Sequence, residues 1–124
     1  MPFSIDWYIK NEVIYGHFSG ELDANQLMES LIQIRNLTDE SSRPLVHIIH
    51  DVGDVTKAVS PTETLKVVRE FGTHERTGWT LIVREKSFIV KMSVAFGTSV
   101  FKNRTRTFDT IADAEEFLKE IDST

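Results

Sequence analysis

The densest group of side chains that could do chemistry lies around residue 50, where two histidines and two aspartates lie close together in the sequence. They are His47, His50, Asp51 and Asp54. Imidazole and carboxylate groups that converge on one point could bind a metal ion. Alternation along a strand places His47 and His50 on opposite faces, so they cannot easily share an ion. His50 and Asp54 could still meet at the C-terminal end of a strand, where α/β sheets usually bind ligands. A hydrolase or metal site near His50 and Asp51 is therefore one functional hypothesis.

No catalytic motif accompanies these residues. The sequence contains no Gly-x-Ser-x-Gly, no Gly-x-Gly-x-x-Gly, no His-x-x-x-His and no phosphate-binding loop ending in Gly-Lys-Ser/Thr. It also contains no cysteine, which excludes disulfides, thiolate zinc sites, iron–sulfur clusters and a cysteine nucleophile. We therefore predict that the chain is not an enzyme and has no metal or cofactor.

Ser60 begins a predicted helix in the sequence Ser60-Pro61-Thr62-Glu63. A helix N-terminus offers free N–H groups and the positive end of the helix dipole, so a phosphate on Ser60 would be stabilised there. A serine cap followed by proline and glutamate is also the ordinary start of a helix. Ser60 is therefore a candidate phosphorylation site with a purely structural alternative.

The segment 86–101 is predicted to be a helix that is apolar over most of its circumference. Phe88, Met92, Phe96 and Val100 recur every four residues along one side of it. A surface helix usually has an apolar stripe of limited width, so either other parts of the fold cover this helix or one side contacts a partner or ligand. These four residues are the candidate ligand-binding or partner-binding residues.

Composition and charge restrict the class of protein. The 124 residues carry 14 Lys and Arg against 19 Asp and Glu, a net charge of -5, which argues against general binding of nucleic acid or anionic membranes. The length predicts a single domain over residues 1–124. No apolar run is long enough to span a membrane, and residues 1–6 lack the features of a signal peptide, so we predict a cytoplasmic protein.

Hydrophobic periodicity predicts the elements that position these residues. Alternating residues in 3–18 predict a hairpin of two strands, and the i, i+3, i+4 pattern in 24–38 predicts a helix. A buried strand at 45–49 ends near Asp51, and residues 51–54 are predicted to form a loop. The whole order is ββαβαβαβα, which predicts an α/β domain with a mixed, mostly parallel sheet and helices mainly on one face.

The opposite face of this sheet would carry large apolar side chains. It would display some of Trp7, Tyr15, Leu45, Ile49, Trp79 and Leu81. Aromatic residues on an open sheet face are typical of an interface, so we predict a homodimer. The alternative is that the hairpin or a helix of the same chain covers this face.

Three parts of the chain resemble the STAS-like or SpoIIAA-like family, the fold of anti-sigma-factor antagonists. They are the opening hairpin that runs into Ser19–Asp23, the buried strand ending in Asp51, and the tail Arg106–Leu118. The resemblance implies a non-enzymatic domain that acts through protein contacts, or a relative that binds a small or lipid-like ligand. Phosphorylatable STAS domains resemble one another in an Asp-Ser or Asp-Thr pair after the third strand. Here Val52 follows Asp51, and the first hydroxyl beyond it is Thr56.

The leading hypothesis is a regulatory or scaffold module that binds an unknown partner protein. The alternative is a carrier of a small apolar or lipid-like ligand, with a pocket between the sheet and the Phe88/Met92/Phe96 side of the helix 86–101.

Overall fold

Strands and helices alternate in the predicted order ββαβαβαβα in a computed structural model, which describes residues 2–101 and 104–122. The strands are β1 (Phe3–Ile9), β2 (Val13–Glu21), β3 (Val46–Lys57), β4 (Thr77–Val83) and β5 (Thr105–Phe108). The helices are α1 (Ala24–Glu40), α2 (Pro61–Phe71), α3 (Phe88–Thr98) and α4 (Ile111–Asp122), and a 3-10 turn (Ser99–Phe101) follows α3. Within the described ranges no helix has the length and apolar character to cross a bilayer.

The five strands form one sheet in the order β1-β2-β3-β4-β5. β1 and β2 pair antiparallel, and the three other pairs are parallel. The hairpin turn contains Asn11 at a φ of 68°, a left-handed conformation that asparagine tolerates better than most residues. The prediction of a mixed, mostly parallel sheet is confirmed.

Three helices cover one face of the sheet. Side chains of α1 and α2 pack with the inward residues of β2 and β3 in one core cluster, which includes Ile14, Leu31, Ile34, Ile48 and Val68. α3 lies against α2 on the same side, because Gly97 of α3 packs directly on Thr64 and Val68. This arrangement confirms that the helices lie mainly on one face.

The fourth helix covers the other face. Ala114, Phe117 and Leu118 of α4 bury Ile49 and Leu81, which have no exposed surface. Tyr15 and Trp79 pack at the margin of this cluster, and Trp79 meets Phe117 edge to face at 4.9 Å.

The apolar face on which the homodimer prediction rested is therefore largely covered by α4 of the same chain. Trp7 does not belong to it, because its side chain packs with the α1–α2 cluster on the other face. Leu45 precedes β3 and is half-buried. The homodimer remains a prediction without this support.

β3 is longer than predicted, because it continues through residues 51–54 to Lys57. Gly53 and Asp54 are poor strand formers and resemble a loop in sequence. Pairing with β2 overrides this preference, since Ser19 lies opposite Asp54 and Glu21 opposite Lys57. The extension places Asp54 of β3 beside β2, and Asp51 lies beside the last residue of β4.

Candidate functional site

A polar cluster lies beside the C-terminal end of β4 and along the middle of β2 and β3, on the face covered by α4. We call it the Asp51–Arg84 cluster; its members are Tyr15, His17, Asp51, Asp54 and Arg84. The Asp51 carboxylate is almost fully buried and accepts three hydrogen bonds. Tyr15 Oη donates at 2.6 Å, Arg84 Nε at 2.8 Å and the Gly53 N–H at 3.1 Å.

Arg84 joins two carboxylates. Its Nη2 donates to Asp54 Oδ2 at 3.1 Å, and Asp54 is also 2.8 Å from His17 Nε2. Arg84 has a φ of 63°, and its N–H donates to the Phe108 carbonyl oxygen. A Cβ atom on residue 53 would lie 2.5 Å from Arg84 Cζ, so glycine at 53 leaves the space through which the guanidinium reaches Asp51.

The electrostatics fix the protonation of this cluster. Burial raises the pKa of Asp51, but the hydrogen bonds from Tyr15, Arg84 and Gly53 outweigh burial and hold it below its ordinary value of 3.8. Burial and the hydrogen bond to Asp51 raise the pKa of Tyr15. Asp51 therefore stays ionised and Tyr15 stays protonated near neutral pH. The three hydrogen bonds to Asp51 tie β2 and β3 to the residue that follows β4.

His50 and Asp54 do not come together, so the described residues do not form the metal site predicted near His50 and Asp51. The His50 ring faces α1–α3, 5.6 Å from the ring of Phe18, whereas Asp51 and Asp54 face the α4 side. The pairing of β2 with β3 slips by one residue between His17/Asp51 and Ser19/Asp54. This irregularity breaks the alternation that placed Asp54 with His50. The part of the chain that the structure describes contains no group of three metal-binding side chains.

Arg84 and Tyr15 were not identified as members of a polar site from the sequence. Arg84 directly follows β4, and Asp51 lies opposite Val83 on the neighbouring strand. The C-terminal ends of parallel strands share one edge of the sheet, so a charged residue after β4 and an aspartate on β3 could have been paired on that ground. Tyr15 and His17 lie beside them because β2 runs parallel to β3.

An apolar cavity of about 110 Å³ lies between the sheet and α1–α3. From α3 it is lined by Val90, Ser93, Val94, Gly97 and Thr98. The expected lining residues Phe88, Met92 and Phe96 do not contribute, so the predicted side of the helix is wrong. The rotation of α3 is fixed by Gly97 against Thr64 and by Ser93, whose Oγ donates to the Val59 carbonyl oxygen at 2.5 Å.

The predicted binding residues of α3 lie in different surroundings. Phe88 is 73% exposed, and the adjacent Ile89 is 54% exposed. Met92 and Phe96 are half-buried. Val100 packs against the core cluster formed by α1, α2 and the sheet, so it belongs to the interior more than to a free surface.

Ser60 is exposed and caps α2. Its Oγ accepts a hydrogen bond from the Glu63 N–H at 3.4 Å, and Pro61 occupies the first turn. The structural role predicted for this residue is therefore present.

Solved structures that are similar to this chain include two of SpoIIAA. The structure of the Bacillus cell fate determinant SpoIIAA in its phosphorylated form is 16% identical, with a TM-score of 0.59, over 94% of this chain and 98% of that chain. The structure of the anti-sigma factor antagonist SpoIIAA in its unphosphorylated form is 15% identical, with a TM-score of 0.63, over 95% and 96%. No family model matches the sequence, and no curated protein matches it significantly. The structures show that the fold is STAS-like, as the sequence predicted.

Proposed function

Because the chain has the SpoIIAA fold, we propose that it is a regulatory module that acts by binding a partner protein and catalyses no reaction. One of its structural neighbours is an anti-sigma factor antagonist, a protein whose role is regulatory. The polar cluster supports the same proposal, since every charge in it is already engaged within the domain.

The observation that carries the proposal is the apolar surface along one side of α3. We call it the α3 edge; it consists of Phe88, Ile89, Met92 and Phe96. Lys91 is the only charged residue of α3. Exposed phenylalanine beside exposed isoleucine is the composition found at the centre of protein interfaces, where charged residues are depleted. We propose that a partner protein covers the α3 edge.

The α3 edge is better suited to bind a protein than to bind a small ligand. Phe88 and Ile89 protrude, and they lie on the side of α3 away from the cavity. A protruding pair of side chains must be received by a pocket in another molecule, as an anchor residue is at an interface.

We also propose Ser60 as a phosphorylation site that regulates this binding. Ser60 is exposed, and one structural neighbour is a phosphorylated form. The adjacent Val59 carbonyl oxygen accepts the hydrogen bond from Ser93 of α3, so the start of α2 is joined directly to the helix that carries the edge. A phosphate there would add nearly two negative charges at this junction.

The test compares F88E with Q33E, which adds the same charge at an exposed position of α1. The wild type and Q33E are used to isolate a partner, and the purified partner is then titrated into each variant by calorimetry. A central anchor is worth about 2 kcal/mol or more, so we expect F88E to bind about 30-fold more weakly while Q33E is unchanged. S60E tests the regulation in the same titration, with S60A as its control.

An unchanged dissociation constant for F88E would contradict the docking surface. Because Phe88 is mostly exposed, F88E should unfold at the same urea concentration as the wild type, so a loss of binding does not come from a loss of folding. The wild type and Q33E should each isolate a partner that, once purified, binds them saturably. If no such partner is found with either protein, the proposed function is wrong.

A further inference from the structure

A polar pocket borders the α3 edge. It has a volume of about 330 Å³ and lies between α3 and the start of α4, beside the C-terminal ends of β4 and β5. We call it the acidic pocket; its walls are Glu85, Lys91, Thr107, Phe108, Asp109 and Asp113. The pocket and the α3 edge share the helix α3, because Lys91 belongs to it.

The acidic pocket has an excess of negative charge that the domain does not neutralise. Three carboxylates line it together with one ammonium group, that of Lys91. Within residues 2–101 and 104–122, none of Glu85, Asp109 and Asp113 forms a salt bridge. The carboxylates of the Asp51–Arg84 cluster, in contrast, are both paired with the same guanidinium. The acidic pocket can therefore receive a cation from another molecule.

Glu85 is the least hydrated of the three carboxylates. It is half-buried, whereas Asp109 and Asp113 are exposed. Burial raises the pKa of Glu85 above its ordinary value of 4.5, although the nearby charge of Lys91 acts in the opposite direction. A second cation beside this carboxylate would favour its ionised form. An ammonium or guanidinium group would thus supply the charge compensation that the domain provides only in part.

The helical geometry of α3 sets the pocket beside the apolar stripe. Successive residues of a helix are about 100° apart, so Lys91 projects only about 60° from Phe88 around the helix axis. Phe88, Met92 and Phe96 form a stripe about 12 Å long at a rise of 1.5 Å per residue. A protein that covers this stripe therefore reaches the acidic pocket across Lys91.

The stripe is suited to contact with a helix. Phe88, Met92 and Phe96 recur every four residues and form a ridge, and such ridges pack into the grooves of a second helix. An amphipathic helix offers apolar residues for this contact and carries its charged residues on the flanks. The net charge of -5 favours the approach of a basic helix over an acidic one.

We propose that the partner protein covers the α3 edge with a basic amphipathic helix and places one Lys or Arg side chain of that helix in the acidic pocket. This partner element rests on the proposed function, because it covers the same α3 edge. The apolar residues of the helix supply most of the affinity. The basic residue fixes the direction of the helix and selects against acidic helices.

The probe is a phage-displayed library of alanine-based peptides of about 18 residues, long enough to be helical in water. One face of the helix and its flanks are randomised. The library is selected on the wild type and counter-selected on F88E. We expect the selected peptides to carry large apolar residues at i, i+3 or i+4 spacing and a Lys or Arg on one flank.

Two double variants then test the acidic pocket. E85Q/D109N removes two charges from it, and E29Q/E40Q removes the same charge at exposed positions of α1 as the matched control. A selected peptide should bind E85Q/D109N about 10-fold more weakly than the wild type, and E29Q/E40Q within about 2-fold. Replacing the basic residue of the peptide with glutamine should cost about 10-fold on the wild type and about 2-fold or less on E85Q/D109N.

The side-chain carboxyl of Glu85, followed by carbon-13 NMR during a pH titration, reports the pocket directly. Saturation with the selected peptide should lower the pKa of Glu85, because a cation then lies beside its carboxylate. The same peptide with glutamine in place of its basic residue should leave this pKa unchanged. A lowered pKa with both peptides would place the basic residue outside the acidic pocket.

Four other outcomes would overturn the proposal. If no peptide distinguishes the wild type from F88E, the α3 edge does not receive a helix. Selected peptides without Lys or Arg on a flank would exclude a basic partner helix. Equal losses in E85Q/D109N and E29Q/E40Q would show general attraction by net charge. A wild-type dimer that F88E dissociates, measured by analytical ultracentrifugation, would show that a second copy covers the α3 edge.

The natural partner isolated with the wild type and Q33E separates this proposal from the proposed function. If that partner binds F88E weakly but binds E85Q/D109N as tightly as the wild type, the docking surface is right and the acidic pocket is not part of it. If it binds F88E as tightly as the wild type, the proposed docking surface itself is wrong.

Discussion

Replacing Asp51 with asparagine tests the central claim about the Asp51–Arg84 cluster. The side chain keeps its size, but the charge that receives three hydrogen bonds is lost. Hydrogen bonds to a charged group contribute about 1.5–3 kcal/mol each, and removing one partner of a buried pair costs about 3–5 kcal/mol. Arg84 is 31% exposed, so water recovers part of its loss. We expect D51N to lower the free energy of unfolding by about 3 kcal/mol, or the Tm by about 12 °C for a domain of this size.

The pH dependence gives this prediction a second signature. The pKa of Asp51 lies below its ordinary value of 3.8 in the folded protein. A carboxyl group with a depressed pKa stabilises the fold fully at pH values above its pKa in the unfolded chain. This contribution disappears as the pH falls through the pKa that the group has in the folded protein. The difference between wild type and D51N should therefore be constant from pH 5 to about 8 and should shrink below pH 3.8.

The assay is urea unfolding followed by circular dichroism, with D54N as the matched control. Asp54 contacts the same guanidinium but is 49% exposed, so its removal should have a much smaller effect. If D51N and D54N lose the same stability, or if the difference between wild type and D51N persists unchanged at pH 3, the carboxylate of Asp51 does not have the role described.

Two further predictions concern the cavity wall and the seating of α3. Burial lowers the pKa of His50 from 6.5 to about 4, so the wild type should lose about 3 kcal/mol of stability as the pH falls from 6.5 to 4. H50L should abolish this loss. Urea unfolding between pH 4 and 7 measures this slope, and an unchanged slope in H50L would mean that His50 is not buried as described. G97L should cost about 2 kcal/mol or more in chemical denaturation, because a Cβ at residue 97 already lies 2.9 Å from Thr64 Cγ2. A95L, at an exposed position of the same helix, should stay within about 0.5 kcal/mol of the wild type, and equal losses in both would refute close packing at Gly97.

The sequence was sufficient for the order of elements because each has a clear local period or cap. Asp23 and Gln26 form the capping box of α1 that their spacing indicates, and Ser60 and Pro61 begin α2. The same local signals could not show where β3 ends. Gly53 and Asp54 favour a loop, and only the ladder with β2 keeps them in the strand.

The candidate site was less predictable, because it depends on relations between elements. Alternation correctly separates His50 from Asp51, but it fails at Asp54 because of the irregular pairing after His17. The apolar width of α3 showed that this helix carries more than a core stripe. It could not show which side meets the cavity, since that rotation is fixed by the contact of Gly97 with Thr64 of another helix.

The late position of α4 in the chain matters while the protein is being made. Ile49 and Leu81 are completely enclosed once Phe117 and Leu118 are in place. Leu81 is synthesised roughly 35 residues before Leu118, an interval of about 2–7 s at 5–20 residues per second. Until α4 also leaves the ribosome, one apolar face of β1–β4 has no cover from it. Nascent chains that stop before α4 should therefore recruit chaperones, and those that include it should not.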